Sequence, residues 1–535
     1  MKRTKWFRLM ACLVAICGLP AISAAQTTRR VPQDFATIQA AINASANGDT
    51  VLVSSGTYTE NINFKGKAIT LQSVSGADTT IIDGGQLGTV VTFNTAEGPS
   101  SVLTGFTVRN GTSQFEGSGI AVEGSSPAIT FNKVVDNVGC DGIGIAVGFG
   151  SPLIQGNIIN NNQRTNCSGG NGGGGILIRG ASTGQILGNV ISNNKVSIGG
   201  NGGGGIALNG AGAPTLRSNI ILGNTVTGVS PASQGGGIWI VNDTSTLIVQ
   251  NLIVGNHTDQ GGGISWLVPS GARGPLLVNN TIANNDSPNG SAIFGDGFQA
   301  MANMVNNLII GKAGQTAIFC GNFNNTTPPQ FSFNDVFSLT GTAYGGICTD
   351  QTGTNGSISA DPLFVAPANN DYHLQATSPA VDAGNNSAPN LPPKDIDGDN
   401  RIINATGKPG AIVDMGADEF SSAQVLTLST SSLAFGLQPP GTTSAAQSFT
   451  FANHGSTAAA VRAVMSAGDF SQTNTCGTSV AGGASCTVSV TFTPEVLGPR
   501  NGLVAIVTDV SETPQVVLLS GTGGPAPPQI VLVAH

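Results

Sequence analysis

The chain has 535 residues, 76 of them glycine, and only 9% are charged, well below the ~25% of ordinary globular proteins. Its 39% hydrophobic content is enough for a core, and its length leaves room for several domains. A net charge of −8, with no basic cluster beyond the first residues, argues against a nucleic-acid partner.

The N-terminus reads as an export signal. Met1 to Arg8 is a basic leader, Leu9 to Ile22 is an apolar run too short to span a bilayer, and Ser23-Ala24-Ala25 is a small-x-small cleavage site. Residues 1–25 are therefore expected to be removed. The mature chain would be extracellular, at the cell surface or periplasmic, without a transmembrane segment, and monomeric. Acylation at Cys12 is the alternative, but it leaves almost no apolar run ahead of that residue.

After this leader, Phe35, Ile38, Ala41 and Ile42 stand at helical spacing, which predicts a short amphipathic helix able to cover the open end of a repeat array. From Ile129 to Lys312 one phrase recurs: an apolar residue, Asn three positions on, an apolar residue two further, a second Asn at plus five, then a glycine cluster and an aliphatic strand. The anchor residues Asn132, Asn157, Asn189, Asn219, Asn251 and Asn280 lie 25 to 32 residues apart, the period of a solenoid. Apolar pairs two apart, such as Ile176/Ile178 and Ile238/Ile240, carry the strand period, so the coil is β and not helical. Asn and Gly supply left-handed turn residues, and Asn side chains in successive coils can stack into amide ladders. About eight coils are recognisable, roughly 40 Å at ~4.8 Å each.

The phrases Phe35-x-Thr37-Ile38-Gln39-x-Ala41-Ile42, Gly48-Asp49-Thr50-Val51 and Gly56-x-Tyr58-x-Glu60 resemble the N-terminus of right-handed parallel β-helix proteins of the pectin-lyase-like superfamily. The resemblance implies such a solenoid over 26–365. It brings no active site, because the catalytic phrases of pectin methylesterases and polygalacturonases are absent and no pectate-lyase-like carboxylate group stands in the coils. Asp361-Pro362-Leu363-Phe364, Ser378-Pro379-Ala380-Val381-Asp382-Ala383-Gly384 and Asp414-Met415-Gly416-Ala417-Asp418-Glu419-Phe420 resemble the choice-of-anchor Q segment that closes β-helices of secreted and surface-attached bacterial proteins, assigned here to 366–420. Residues 424–523, with short alternating strands and turns every eight to twelve positions, predict an antiparallel sandwich. They resemble immunoglobulin-like Hydin or choice-of-anchor D domains. A Pro-rich tail, 524–535, follows.

Six cysteines remain after export, and their spacing predicts three local disulfides: Cys140 with Cys167, Cys320 with Cys348, and Cys476 with Cys486. Asp395, Asp397 and Asp399 put three carboxylates around Gly398, a candidate calcium site, although Arg401 could instead neutralise them in a turn. No other cofactor is required. In the strands after the glycine clusters, the residue between two inward aliphatics points outward: Gly144, Leu177, Ala207, Trp239, Ser265 and Phe294. Trp239 and Phe294, two coils apart, could stack on a sugar, unless loops fold over them. A polar column of Asp141, Asn171, Asn201, Gln234, Gln260 and Asn289 could hydrogen-bond a ligand chain or form an internal ladder. Asp141, Asp259 and Asp296 are the weak candidates for acid/base catalysis. The expected function is non-catalytic binding of a polysaccharide or cell-surface partner. A polysaccharide lyase or glycoside hydrolase, and a structural spacer, are the alternatives.

Overall fold

The computed structural model describes residues 26–164, 167, 170, 172–197, 202–228, 233–242, 244–268, 274–297, 302–322, 327–405, 407 and 410–525. The expected signal peptide, most of the Pro-rich tail, Asn171 and Asn201 lie outside them.

The repeat region is a right-handed parallel β-helix. Three long parallel sheets run its length: one of twelve strands from Thr28–Val31 to Gln330–Ser332, and two of eleven, from Gly56–Thr59 to Asp335–Ser338 and from Ile62–Asn63 to Thr342–Gly346. A fourth, five-stranded sheet spans Thr112–Glu116 to Thr225–Thr227. Register is residue on like residue. Ile154 lies opposite Ile186, Ile159 opposite Ile191, and Ile176 opposite Ile206, which in turn faces Ile238. The inward aliphatics form one continuous core from Val31 to Cys348. More coils exist than the eight visible as repeats, because the early strands from Thr50 onward stack in the same way without the glycine cluster.

Two asparagine ladders hold the corners. Each ladder Asn donates its backbone N–H and its Nδ2 to the Oδ1 of the next; Asn157 does so to Asn189 at 2.9 and 2.9 Å, and Asn189 to Asn219 at 2.9 and 3.0 Å. One ladder runs from Asn132 to Asn334 and the other from Asn137 to Asn285. Spare Nδ2 protons reach a carbonyl of the preceding coil, as from Asn219 to Ile186 O at 2.8 Å. The ladder amides are thereby satisfied by the neighbouring coils. The left-handed residue is the one before the ladder Asn, not the Asn itself: Phe131, Gly156, Gly188, Ser218 and Gln250 all have φ between 54° and 65°. The glycine clusters answer to crowding. A Cβ on Gly175 would lie 2.6 Å from Gly205 O and 3.1 Å from Asn194 Nδ2.

The helix Ile38–Ala44 covers the first coil with Ile38, Ala41 and Ile42. Glu60 closes its N-terminus by accepting from the backbone N–H groups of Ile38 and Gln39 at 2.8 and 2.9 Å. Tyr58 donates to Ser54 O, so the Gly-x-Tyr-x-Glu phrase is structural here. At the far end Tyr344 and Ile347 pack on the core beside the Cys320–Cys348 disulfide. Residues 366–420 lie along the side of the solenoid. Leu374, Ala380 and Met415 pack on Leu308, and Ala388 packs on Val249, Val278 and Val305. The C-terminal region is a largely antiparallel β-sandwich of a four- and a five-stranded sheet around Phe451, Phe492, Val488 and Val504. Met465, Leu503 and Ala505 seat it on Ile158, Val190 and Ile220 of the solenoid. All three expected disulfides form, which fits an oxidising compartment. Among the described residues no helix is long and apolar enough to cross a membrane.

Candidate functional site

The outward row of the third sheet passes two positions later than expected in its early coil: Ala146, not Gly144, aligns with Leu177, which leads through Ala207 and Trp239 to Ser265 and Phe294. Trp239 does point outward, but it is only 4% exposed. It packs with Leu177 and Ala207, and its Nε1 donates to Gln234 Oε1 at 3.0 Å. Phe294, 9% exposed, stacks on Phe319 with centroids 5.8 Å apart. Neither ring offers a free face to a sugar, because the chain before the glycine cluster folds over the row. A Cβ on Gly202 would touch Trp239 Cγ at 2.7 Å. Gln234 and Gln260, expected as ligand contacts, bond each other instead, Nε2 to Oε1 at 2.9 Å, within a bridged column that continues to Asn289. That column is an internal ladder.

Toward its N-terminal end the row carries Ala121 and Ala146. These form the floor of a cleft of about 610 Å³ walled by Gln114, Phe115 and Glu116 on one side and by Cys140, Asp141, Cys167 and Gly170 on the other. Arg179 reaches across it. Its Nε binds Glu116 Oε2 at 2.5 Å and its Nη2 binds Glu123 Oε2 at 3.1 Å. Gly148, between Glu123 and Arg179 in register, makes this possible, since a Cβ there would meet Glu123 Oε2 at 2.1 Å. Burial would lower the Arg179 pKa, but the hydrogen bond and charge of Glu116 more than offset it and raise it above the usual arginine value.

Asp141 is the register partner of Glu116 on the neighbouring strand. It pairs with buried Arg164 through Nη1 at 2.5 Å and accepts from Gly172 N–H at 3.1 Å. Two aromatic rings stand clear at this end: Phe115 is 83% exposed and Phe149 61%. Phe149 rests one face on Gly180, and the Arg179 guanidinium lies 5.5 Å from its centroid. Five ionisable groups thus converge in a solenoid otherwise poor in charge, and only Asp141 of the expected carboxylates is among them. Asp259 stands four coils on, ~19 Å away at the strand spacing, and accepts from Ser233 N–H and Oγ. Asp296 is buried further along. Phe149 takes the left-handed corner position held by Gly180, Gly210 and Asn242 in later coils, so only its residue type departs from the repeat, while Phe115 lies where the register of the fourth sheet shifts.

A second group of ionisable residues lies between the solenoid, the 366–420 segment and the sandwich. Asp395, Asp397 and Asp399 are all buried. Asp395 serves the backbone: Oδ1 accepts the N–H groups of Asp397 and Asp399, and Oδ2 accepts that of Glu419. His373 bridges Asp371 and Asp397 through Nδ1 at 2.6 Å and Nε2 at 2.9 Å. Burial would lower its pKa, but Asp397 and Asp371 more than reverse this and hold it well above the usual histidine value. Burial, with the charge of Asp397, pushes Asp399 up to about 6. Burial likewise pushes Asp414 up to about 7, and burial with neighbouring Asp414 pushes Glu419 up to about 9. His373 and Asp397 line a cavity of about 370 Å³ that Leu222, Leu252 and Leu426 close from the solenoid and sandwich sides.

No curated protein sequence matches the chain. Among solved structures, it is similar to the PL6 family alginate lyase AlyGC at 16% identity and TM-score 0.39, covering 69% of this chain and 60% of that one. An ASH/PapD-like domain of human CEP192 is similar at 18% identity and TM-score 0.17, over 19% of this chain and 87% of that one. The secreted serine protease VesC from Vibrio cholerae is similar at 17% identity and TM-score 0.18, over 22% and 28%. The chain therefore spans less than two thirds of the lyase and of the protease. The family described as right handed beta helix region matches residues 164–336, and together with the three stacked parallel sheets this makes the solenoid a right-handed parallel β-helix.

Proposed function

We propose that the mature protein is secreted or surface-associated and binds a polysaccharide chain in the cleft lined by Phe115 and Arg179, with Phe149 beside Arg179. The observation that carries this reading is the pair of exposed rings flanking the Arg179–Glu116–Glu123 network. An aromatic face stacks on a sugar ring, and paired charges hydrogen-bond hydroxyls or a uronate without a large desolvation cost. Resemblance of 366–420 to choice-of-anchor Q segments and of 424–523 to immunoglobulin-like spacer domains supports residence at the cell surface.

A catalytic reading, as a polysaccharide lyase or glycoside hydrolase, is favoured by one observation. Glu116 and Asp141 are register partners on adjacent strands, and carbohydrate hydrolysis uses two carboxylates a short distance apart. Both are engaged by arginines in the free protein, which favours binding. The test is a screen of acidic and neutral polysaccharides for both retention and depolymerisation. Binding without new reducing or unsaturated ends, weakened ~5–10-fold by Phe149→Ala, is expected on the scale of one aromatic contact. Chain cleavage abolished by Glu116→Gln or Asp141→Asn would establish the enzyme instead. Retention unaffected by Phe115→Ala and Phe149→Ala would remove the cleft from either function.

A further inference from the structure

We propose that His373, Asp397 and Asp418 form a divalent-cation site at the junction of the solenoid, the 366–420 segment and the sandwich. One donor atom from each lies within 4.8 Å of the other two. An independent feature points to a ligand. Asp418 is 2% exposed, and while its Oδ2 accepts Leu374 N–H at 2.8 Å, its Oδ1 has no hydrogen-bond partner. A buried carboxylate oxygen left unpaired is costly, and a cation removes that cost.

The donors are arranged as a metal requires. Asp371 holds His373 Nδ1 at 2.6 Å, fixing the ring so that Nε2 faces Asp397; a carboxylate behind the ligating imidazole is the usual support of a metal-bound histidine. Asp395 and Asp414 spend their oxygens on backbone N–H groups, so they shape the turns that present Asp397 and Asp418. His373 and Asp397 border the 370 Å³ cavity, which gives an ion a route in and water a fourth position. One imidazole and two carboxylates suit a borderline ion such as Zn²⁺ or Mn²⁺, whereas calcium takes oxygens alone. The site therefore differs from an all-aspartate site at Asp395, Asp397 and Asp399 in both ligands and ion. Bound there, a cation would tie the strand Asp371–Leu374 to the 395–399 turn and to 414–419.

The experiment uses the tag-free mature chain, stripped with chelator and titrated separately with Zn²⁺, Mn²⁺ and Ca²⁺. Metal content and melting temperature are the readouts. About one Zn²⁺ or Mn²⁺ per chain and a raised melting temperature are expected, with affinity falling ~10–100-fold in Asp418→Asn and in His373→Gln. His373, whose side chain is 31% exposed, carries the test should Asp418→Asn not fold. Uptake of none of the three ions, or uptake unchanged in the folded variants, overturns the site. Uptake of Ca²⁺ with exclusion of Zn²⁺ and Mn²⁺ overturns His373 as a ligand.

Discussion

Replacing Asn219 by alanine removes a single rung from the middle of the longer ladder. Its Oδ1 accepts both the backbone N–H of Asn189 at 2.9 Å and Asn189 Nδ2 at 3.0 Å, and its Nδ2 donates to Ile186 O at 2.8 Å and to Asn251 Oδ1 at 2.9 Å. Asn189 Nδ2 retains Ile154 O and Leu187 O, and Ile186 O belongs to a strand paired in register with Thr215–Arg217, so the lasting loss is the Asn189 backbone N–H left unpaired at a fully buried site. At ~1–3 kcal/mol for such a group, the substitution costs about 2 kcal/mol. Melting is expected to drop by on the order of 4 °C, taking ~2 °C per kcal/mol for a large domain. Hydrogen exchange should show lost protection centred on the coils holding Asn189 and Asn251, because each coil contacts only its neighbours. Thr183→Ala, at an exposed turn, is the control and should stay within ~0.5 kcal/mol of wild type. An Asn219→Ala protein that melts with the Thr183→Ala protein would refute the claim that the ladder stabilises the solenoid.

Trp239→Ala should act on stability and not on a ligand: loss of a ring buried against Leu177 and Ala207 costs ~3–5 kcal/mol, readable in denaturant unfolding, and unchanged stability would contradict its burial. Cys140→Ser/Cys167→Ser opens a link across 27 residues and should cost about 3–4 kcal/mol by loop entropy, with the largest gain in exchange along the cleft wall; a melt equal to wild type would count against that estimate. Asp335 provides a pH test. Burial, with the charge of Asp361 adding, pushes it up to about 7 from 3.8, so the folded state holds the proton more tightly than the unfolded one. Its contribution is full below pH ~4 and is lost as pH rises through about 7, at most roughly 4 kcal/mol. Asp335→Asn should therefore flatten the melting temperature between pH 4 and 8 relative to wild type, and an unchanged slope would exclude Asp335 as its source.

The coil was legible because two constraints repeat with it. Inward aliphatics must alternate, and the corner Asn must find its copy one coil away, so Ile176, Ile206 and Ile238 or Asn157, Asn189 and Asn219 announce themselves by position. Disulfides were legible for a similar reason, since 27 or 28 residues is one coil and brings Cys140 beside Cys167. Exposure was not legible. Trp239 has an outward place in the pleat whether or not chain covers it, and what covers it comes from segments between repeats that obey no period. The cleft was hidden as well: Phe115 lies at a shift of register, Phe149 stands at a corner that Gly180, Gly210 and Asn242 fill in later coils, and Arg179 meets Glu116 across 63 residues. At the junction, the dense run Asp395, Asp397 and Asp399 was visible, but Asp395 serves the backbone while His373 arrives from the strand Asp371–Leu374 before it and Asp418 from the 414–419 segment after it. Local spacing cannot report that exchange of roles.

The most direct test of the account is a hydrogen-exchange or cross-linking footprint of a retained polysaccharide on the mature protein. Binding in the cleft predicts protection confined to residues 112–116, 120–123, 145–149 and 176–179. Protection on the sandwich, or along the covered row from Leu177 to Phe294, with 112–123 unchanged, would contradict it.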